Sequence, residues 1–600
     1  MTHRKTLLSL VCAGTLTSLA CRGDDSQDDE VGDTDDTSTS DTSTSDTSTS
    51  TSDTDTSDST DTSTSDSTDT SDSTDSSDST DTGVEPDPDA LLEGLEDAAC
   101  TDYVGDGDGG LAHVSYWGIL AGSPEFDALP AAEQAKLQAL QGTQLHSLAI
   151  PPSGEIPGRE CTGALQVEDQ DGLRRQEIIV KLPSDWNGRL VVLGTPGTRD
   201  EWSTEGVFAP WLLAQGYATV VGNKGMTNDG ADGNQSMLAG THPTRHWGLM
   251  MLDMADWARP RLELAAATPV ERVYAAGISN GGYQVRRALE LDALAVEGGD
   301  DRRFDGGLDW EGAYWPDAAV LDQNDDAEVS VAELAGYEPF WLTSNERAAV
   351  VMGWAHDPGS LTNPVDFATD PPFAPAHPEM IAVGFDADSA PIWGAYNATF
   401  DYLAGLGYMA FKGTGYYNIT AQVFRAELLG DDAMSSAAYS PYSDGSDNPP
   451  PFYAWLAMQV DGGWTDEAVA AALDNANSGA FTAPMISVHG QADALLGVHG
   501  NAYAYAEAVA DAGDPSLHRL YVVEHAGHID RHADGLLDFD FDGENGEEGM
   551  ADRLTYLQPY VEASFALLVA WVEAGTEPPA SKTVATDPTA DVLSADQAQI

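Results

Sequence analysis

From Gly163 onward, short apolar runs alternate with longer segments of helical spacing, so strands and helices take turns along the chain. Gly163–Val167 and Arg175–Leu182 read as two opening strands joined by the polar turn Asp169–Gly172, and Arg189–Gly194 as an apolar strand ending in Gly-Thr-Pro-Gly. Phe208–Gln215 is a predicted helix and Tyr217–Gly222 the next strand. His246–Ala266 has helical periodicity with a kink expected at Pro260. Arg272–Ala276 is a strand that runs into Gly277-Ile278-Ser279-Asn280-Gly281, followed by a helix from about Gly282 to Leu291. Further strands are expected near Gly306–Gly312, Ala483–His489 and Arg519–Val523, the last taken as the final strand. The order specifies an α/β fold, a mainly parallel sheet flanked by helices.

The ends of the chain follow other patterns. His3, Arg4 and Lys5 precede an apolar run from Leu7 to Ala20 that is too short to span a bilayer, the form of an export signal. The run ends in Leu16-Thr17-Ser18-Leu19-Ala20-Cys21, which resembles a bacterial lipoprotein box with Cys21 as the lipidated residue; ordinary cleavage, leaving Cys21 a free thiol, is the alternative. Residues 22–89 are almost entirely Asp, Ser and Thr with no aromatic residue, so no apolar face offsets the entropy of ordering. A disordered tether is expected there, reaching about 220 Å when stretched. Residues 90–315 and 481–580 then form the two parts of the α/β core, 316–480 an insertion, and 581–600 a flexible tail.

Composition narrows the partners. The 600 residues include 100 acidic against 26 basic side chains, a formal net charge of −74. That field repels phosphate backbones and anionic lipid heads, which excludes nucleic acid and leaves a membrane only through a lipid anchor. Cys12 and Cys21 belong to the leader, so Cys100 and Cys161 are the one candidate pair of an exported domain and are expected to form a disulfide.

Gly-x-Ser-x-Gly between an apolar strand and a helix is what a nucleophile elbow requires, with Ser279 at its tip. A serine hydroxyl needs a base, and the base needs an orienting carboxylate. Asp493 follows the strand Ala483–His489, and His528 follows the strand Arg519–Val523, with His525 as its competitor; His489 and His499 read as loop or core histidines. For an oxyanion, the N–H of Asn280 is one donor, and Thr195 or Gly197 the second, since Pro196 has no N–H.

With Ser279, Asp493 and His528 in that order at strand ends, the chain over about 160–575 resembles the α/β-hydrolase superfamily of serine esterases. Within it, the chain is similar to secreted bacterial enzymes with a large lid, the tannase and feruloyl esterase group and the 3-hydroxybutyrate oligomer hydrolases. The resemblance implies hydrolysis of a small or oligomeric ester through an acyl-enzyme, with no cofactor for catalysis. Residues 316–480 would be a large cap inserted before the penultimate strand. Trp315, Trp341, Trp354, Trp393, Tyr396, Tyr416 and Tyr417 either line its pocket or fill its core. A serine peptidase on the same fold, or a calcium-stabilised binding protein on an inactive one, are the alternatives.

The cap carries one further pattern. Asp322, Asn324, Asp326, Glu328, Ser330 and Glu333 give the spacing of an EF-hand-like loop, a candidate structural Ca2+ site in which Ala327 replaces the usual Gly. Asp538, Asp540 and Asp542 repeat only the opening half of such a loop.

Overall fold

The computed structural model describes residues 85–104, 155–170, 172–196, 201–228, 243–315, 476–491, 498–528 and 555–587, with 110, 111, 235–237, 493, 496, 530, 592 and 594–600 alongside. The leader with Cys21, the tether before residue 85, Gly197, both acidic loops and the cap between 316 and 475 lie outside the described residues. Everything described falls in one compact unit, 81–600.

Twelve strands are described: β1 (Leu95–Tyr103), β2 (Gly158–Asp169), β3 (Gly172–Pro183), β4 (Arg189–Gly194), β5 (Ala218–Gly222), a small hairpin of β6 (Met226–Asn228) and β7 (Gln235–Met237), then β8 (Arg272–Ile278), β9 (Gly306–Trp310), β10 (Met485–Gly490), β11 (His518–Val523) and β12 (Lys582–Val584). The main helices are α1 (Glu201–Leu213), α2 (Pro243–Ala266, running through Pro260), α3 (Asn280–Gly298), α4 (Ala504–Ala512) and α5 (Gln558–Ala574). Ten strands form one sheet in the order β1-β2-β3-β5-β4-β8-β9-β10-β11-β12. The β1-β2-β3-β5 edge pairs antiparallel, and every pair from β5 to β12 is parallel.

The central strands are apolar throughout because both faces of the sheet are covered. Alternate side chains go to opposite layers. Leu190, Val192, Val273, Ala275 and Met485 pack with Met251, Met254, Leu262, Val285, Leu289 and Tyr505, which come from α2, α3 and α4. Val191, Leu193, Tyr274, Ala276, Ile486 and Val488 pack with Phe208, Leu212, Phe565 and Leu568, which come from α1 and α5. Among the described residues no helix is long and apolar enough to cross a membrane.

The observed elements extend most of the expected ones by a few residues and add four strands, the β6-β7 hairpin and, in the main sheet, β1 and β12. β1 lies in sequence assigned only to the start of the core, and its mostly exposed residues are those of an edge strand. It pairs with β2 so that Cys100 stands opposite Cys161, and the two form the expected disulfide. β12 corrects the flexible tail expected over 581–600: Lys582–Val584 pairs with β11, and Val592, Ala598 and Ile600 pack against the core. β11 is therefore not the final strand, and β10 stands third from the end of the chain order. The short apolar content of β12 gives its edge position little signal in sequence. The described segments on either side of residues 316–475 are clasped together: the N–H of Asn477 donates to Trp315 O at 2.7 Å, and the N–H of Trp315 to Asn477 Oδ1 at 3.2 Å. Trp315 is buried at this junction.

The disulfide closes a loop of 61 residues, which in the chain-entropy model stabilises the fold by roughly 4 kcal/mol. Replacing both cysteines with alanine should lower the unfolding free energy in urea by about that amount. An unchanged denaturation midpoint would contradict it.

Candidate functional site

Ser279 follows β8 directly and stands at the N-cap of α3 with φ 59° and ψ −121°, a backbone conformation costly for any residue with a side chain. The neighbouring glycines make the turn possible. A Cβ on Gly277 would strike the carbonyl of Gly281, and one on Gly281 would strike the backbone of Gly194 in β4, so strand and helix touch main chain to main chain. The N–H of Ser279 donates to Trp310 O at 2.8 Å, which ties the elbow to the end of the neighbouring strand β9.

His528 lies beyond β11, and its Nδ1–H donates to Asp493 Oδ2 at 2.8 Å. Asp493 sits in the loop after β10, where its Oδ1 accepts the N–H of Leu496 at 2.7 Å. Both are fully enclosed, and Ser279 is 2% exposed. The expected acid and histidine are thus in contact, and the elbow stands at the same carboxyl end of the sheet. His525 faces away from them: its Nδ1 pairs with Thr586 Oγ1 at 3.1 Å beyond β12. His489 contacts Leu496 O at 2.7 Å, and burial holds its imidazole below the usual histidine range despite Asp493 nearby. It braces the Asp493 loop as a neutral ring. His499 opens a turn of π-helix over His499–Tyr503.

A residue not anticipated from the sequence completes the cluster. Glu311, directly after β9, places Oε2 at 3.1 Å from the same Nδ1 of His528, off the line of the N–H, while its Oε1 accepts the N–H of Gly490 at 3.0 Å. One oxygen from each carboxylate and a ring nitrogen of His528 lie within 4.8 Å of one another. Burial raises the Glu311 carboxyl, and the charge of Asp493 raises it further, while His528 beside it opposes the rise. Burial alone would depress His528, but Asp493 and Glu311 outweigh it and hold the imidazole above the usual histidine range. Asp530, also missed, anchors the histidine loop by accepting the N–H groups of Leu557 and Gln558 at the start of α5, at 2.7 and 2.8 Å.

Four non-glycine residues with left-handed backbone follow strands at this end: Lys224 after β5, Ser279 after β8, Glu311 after β9 and His525 after β11, with φ between 48° and 59°. The charged Glu311 between Trp310 and Gly312 was the one sequence signal that could have revealed it.

Thr195 requires a correction as an oxyanion donor. Its N–H is committed to Gln284 Oε1 at 2.9 Å, its hydroxyl donates to Gly222 O at 2.6 Å, and its carbonyl accepts from Lys224 Nζ at 2.6 Å. With all three polar groups used within the core, it anchors the loop rather than facing a ligand. Asn280 opens α3 directly after Ser279.

Beneath the site lies a buried cluster of Ser487, His518 and Asp309. Ser487 Oγ donates to Asp309 Oδ2 at 2.8 Å and lies 3.0 Å from His518 Nε2. Asp309 is also bound by Arg286 Nε at 2.7 Å, and Arg286 stacks over the Tyr505 ring at 4.2 Å. Burial, with Arg286 adding to it, pushes His518 down to about 3, so it cannot hold a proton in turnover. This cluster is a brace.

No protein-family model matches the chain, and no curated protein does. Solved structures similar to it include feruloyl esterase B from Aspergillus oryzae, at 14% identity and TM-score 0.34, covering 72% of this chain and 86% of that one. Tannin acyl hydrolase from Aspergillus niger has 14% identity and TM-score 0.36, with 73% and 82% covered. The rice cell wall degrading esterase LipA from Xanthomonas oryzae has 13% identity and TM-score 0.35, with 72% and 94% covered. The sheet order, the elbow after β8 and the acid and histidine after β10 and β11 make this an α/β-hydrolase fold.

Arg286→Met leaves Asp309 buried without its counter-charge, and should cost about 3–5 kcal/mol of stability in a denaturant titration. A loss below about 1 kcal/mol would mean that the pair contributes no more than an exposed one.

Proposed function

We propose that the chain is a serine hydrolase that cleaves carboxylic esters through an acyl-enzyme. The observation that carries this reading is the hydrogen bond from His528 Nδ1 to Asp493 at the same sheet end as the strained Ser279 elbow. With Nδ1 held by a carboxylate, Nε2 is the nitrogen that takes the proton from Ser279 Oγ as the oxygen bonds to the ester carbonyl carbon. The N–H of Asn280 is the donor assigned to the oxyanion, and Gly197, which lies outside the described residues, is the remaining candidate for the second. Collapse of the tetrahedral species breaks the bond to the alcohol oxygen, which takes the proton from Nε2. Water then attacks the acyl group, losing its proton to His528, and Ser279 Oγ leaves with that proton.

Export and surface tethering through the leader, Cys21 and the acidic segment belong to the same proposal and are supported by sequence pattern alone. The strong negative charge favours a neutral or cationic ester. An α/β-hydrolase core can equally carry peptidase chemistry, so ester and amide substrates of the same acyl group should be compared.

Ser279→Ala should fold normally and lose at least a thousandfold in p-nitrophenyl ester hydrolysis, an effect of the size expected when an activated nucleophile is removed. A fluorophosphonate probe should label the parent at Ser279 and fail to label His528→Ala. Labelling that survives the histidine change, or a Ser279→Ala variant as fast as the parent, would refute the assignment. Absence of labelling in the folded parent would favour a non-catalytic binding protein.

A further inference from the structure

The elbow, the histidine and one acid suffice for the chemistry above, yet His528 has a second buried carboxylate against the same nitrogen. Glu311 Oε2 lies 3.1 Å from Nδ1, Asp493 Oδ2 lies 2.8 Å from it, and none of the three side chains reaches solvent. The contact is not an accident of a loose loop. The N–H of Glu311 donates to Val488 O at 2.9 Å, and Gly490 N–H fixes Oε1 at 3.0 Å, so β10 holds the residue from both ends. Two residues earlier on β9, Asp309 is locked to Arg286, and Glu311 itself keeps φ at 52°, a backbone state that needs a reason.

We propose that Glu311 is a second carboxylate of the catalytic relay, a positioning residue that shares Nδ1 of His528 with Asp493 and sets the pH at which His528 can act as a base. The proposal rests on the assignment of Ser279 and His528 made above.

Two carboxylate oxygens this close, enclosed in protein, repel one another unless a proton or a positive charge lies between them. The imidazolium form of His528 supplies that charge, so the cluster favours a protonated histidine. Other titratable groups near it do not reverse this. His489 stands 3.4 Å from Asp493 Oδ2 and is held neutral by burial, and Asp530, itself raised by burial to about 7 with Glu562 nearby, would add negative charge if ionised. A base must begin neutral, so the protonated form is inactive, and the rate must rise as pH increases and the proton leaves for solvent. Once Nε2 has taken the proton of Ser279, the same two carboxylates stabilise the imidazolium formed. The arrangement gives a stronger base in a smaller fraction of molecules at neutral pH.

The test is the pH dependence of the second-order rate of fluorophosphonate labelling at Ser279, in the parent and in Glu311→Gln. Gln can still accept the Gly490 N–H through Oε1, so the loop is expected to hold, with circular dichroism and melting temperature as controls. The parent should show an ascending limb well above the ordinary histidine value of 6.5. Glu311→Gln should move that limb to lower pH by about one unit or more, the size expected for loss of one adjacent charge. Asp493→Asn should keep more activity than the Asp493→Asn/Glu311→Gln double variant, because Glu311 continues to hold the ring.

An unshifted limb in a folded Glu311→Gln, or a double variant no slower than Asp493→Asn alone, would overturn the proposal. Titration of His528 by nitrogen-15 NMR in the parent reads the same property without turnover. A midpoint at or below 6.5 would also overturn it, even if Glu311→Gln failed to fold. A high NMR midpoint that falls in Glu311→Gln would support the role of Glu311 even if Ser279 did not label, and the failure would then belong to the catalytic assignment alone.

Discussion

The site depends on a buried ion pair that does no chemistry. Arg286, about two turns into α3 from the elbow, is fully enclosed and binds Asp309 of β9 through two of its nitrogens, at 2.7 and 2.6 Å. The same guanidinium donates to Ala313 O and Asn501 O, both at 3.2 Å, while Asp309 accepts from Ser487 on β10. One cation therefore joins α3, two central strands and the segment that leads into α4. Taking these charges out of water is expensive, and mutual pairing with further hydrogen bonds is what makes it tolerable. The geometry that results holds Ser279 and Glu311 at adjacent strand ends.

Strain marks the same rim. Single left-handed residues after β5, β8, β9 and β11 turn the chain sharply where each strand leaves the sheet. The surrounding core must over-determine such conformations for them to persist. At Ser279 the contact between Gly194, Gly277 and Gly281 does so, and at Glu311 the bonds to Val488 and Gly490 do. Side chains held this way lose little further freedom when a reaction needs them, which is the physical content of preorganisation.

A Ser–His–Asp cluster at Ser487 that sits apart from the His528–Asp493 pair shows that composition is not enough to identify a site. Around Ser487 the aspartate is neutralised by Arg286 and the histidine is driven far below neutrality. Around His528 two carboxylates meet at Nδ1, and the imidazole is driven the other way. The sign of the local field separates a brace from a base.

Much of this was legible in sequence, and for a definite reason. A parallel strand covered on both faces must be apolar at every position, so β4, β8, β10 and β11 announce themselves, and an elbow needs small residues at fixed spacing around its serine. The order of Ser279, Asp493 and His528 along the chain follows from where those strands end. Distances between distant segments are not encoded in any local pattern. Only the tertiary structure could turn His525 to Thr586, commit the N–H of Thr195 to Gln284, pair β12 with β11 and bring Glu311 to a histidine far from it along the chain. Each of those outcomes depends on which buried groups meet once solvent is excluded, and that is decided by packing across the sheet rather than along the chain.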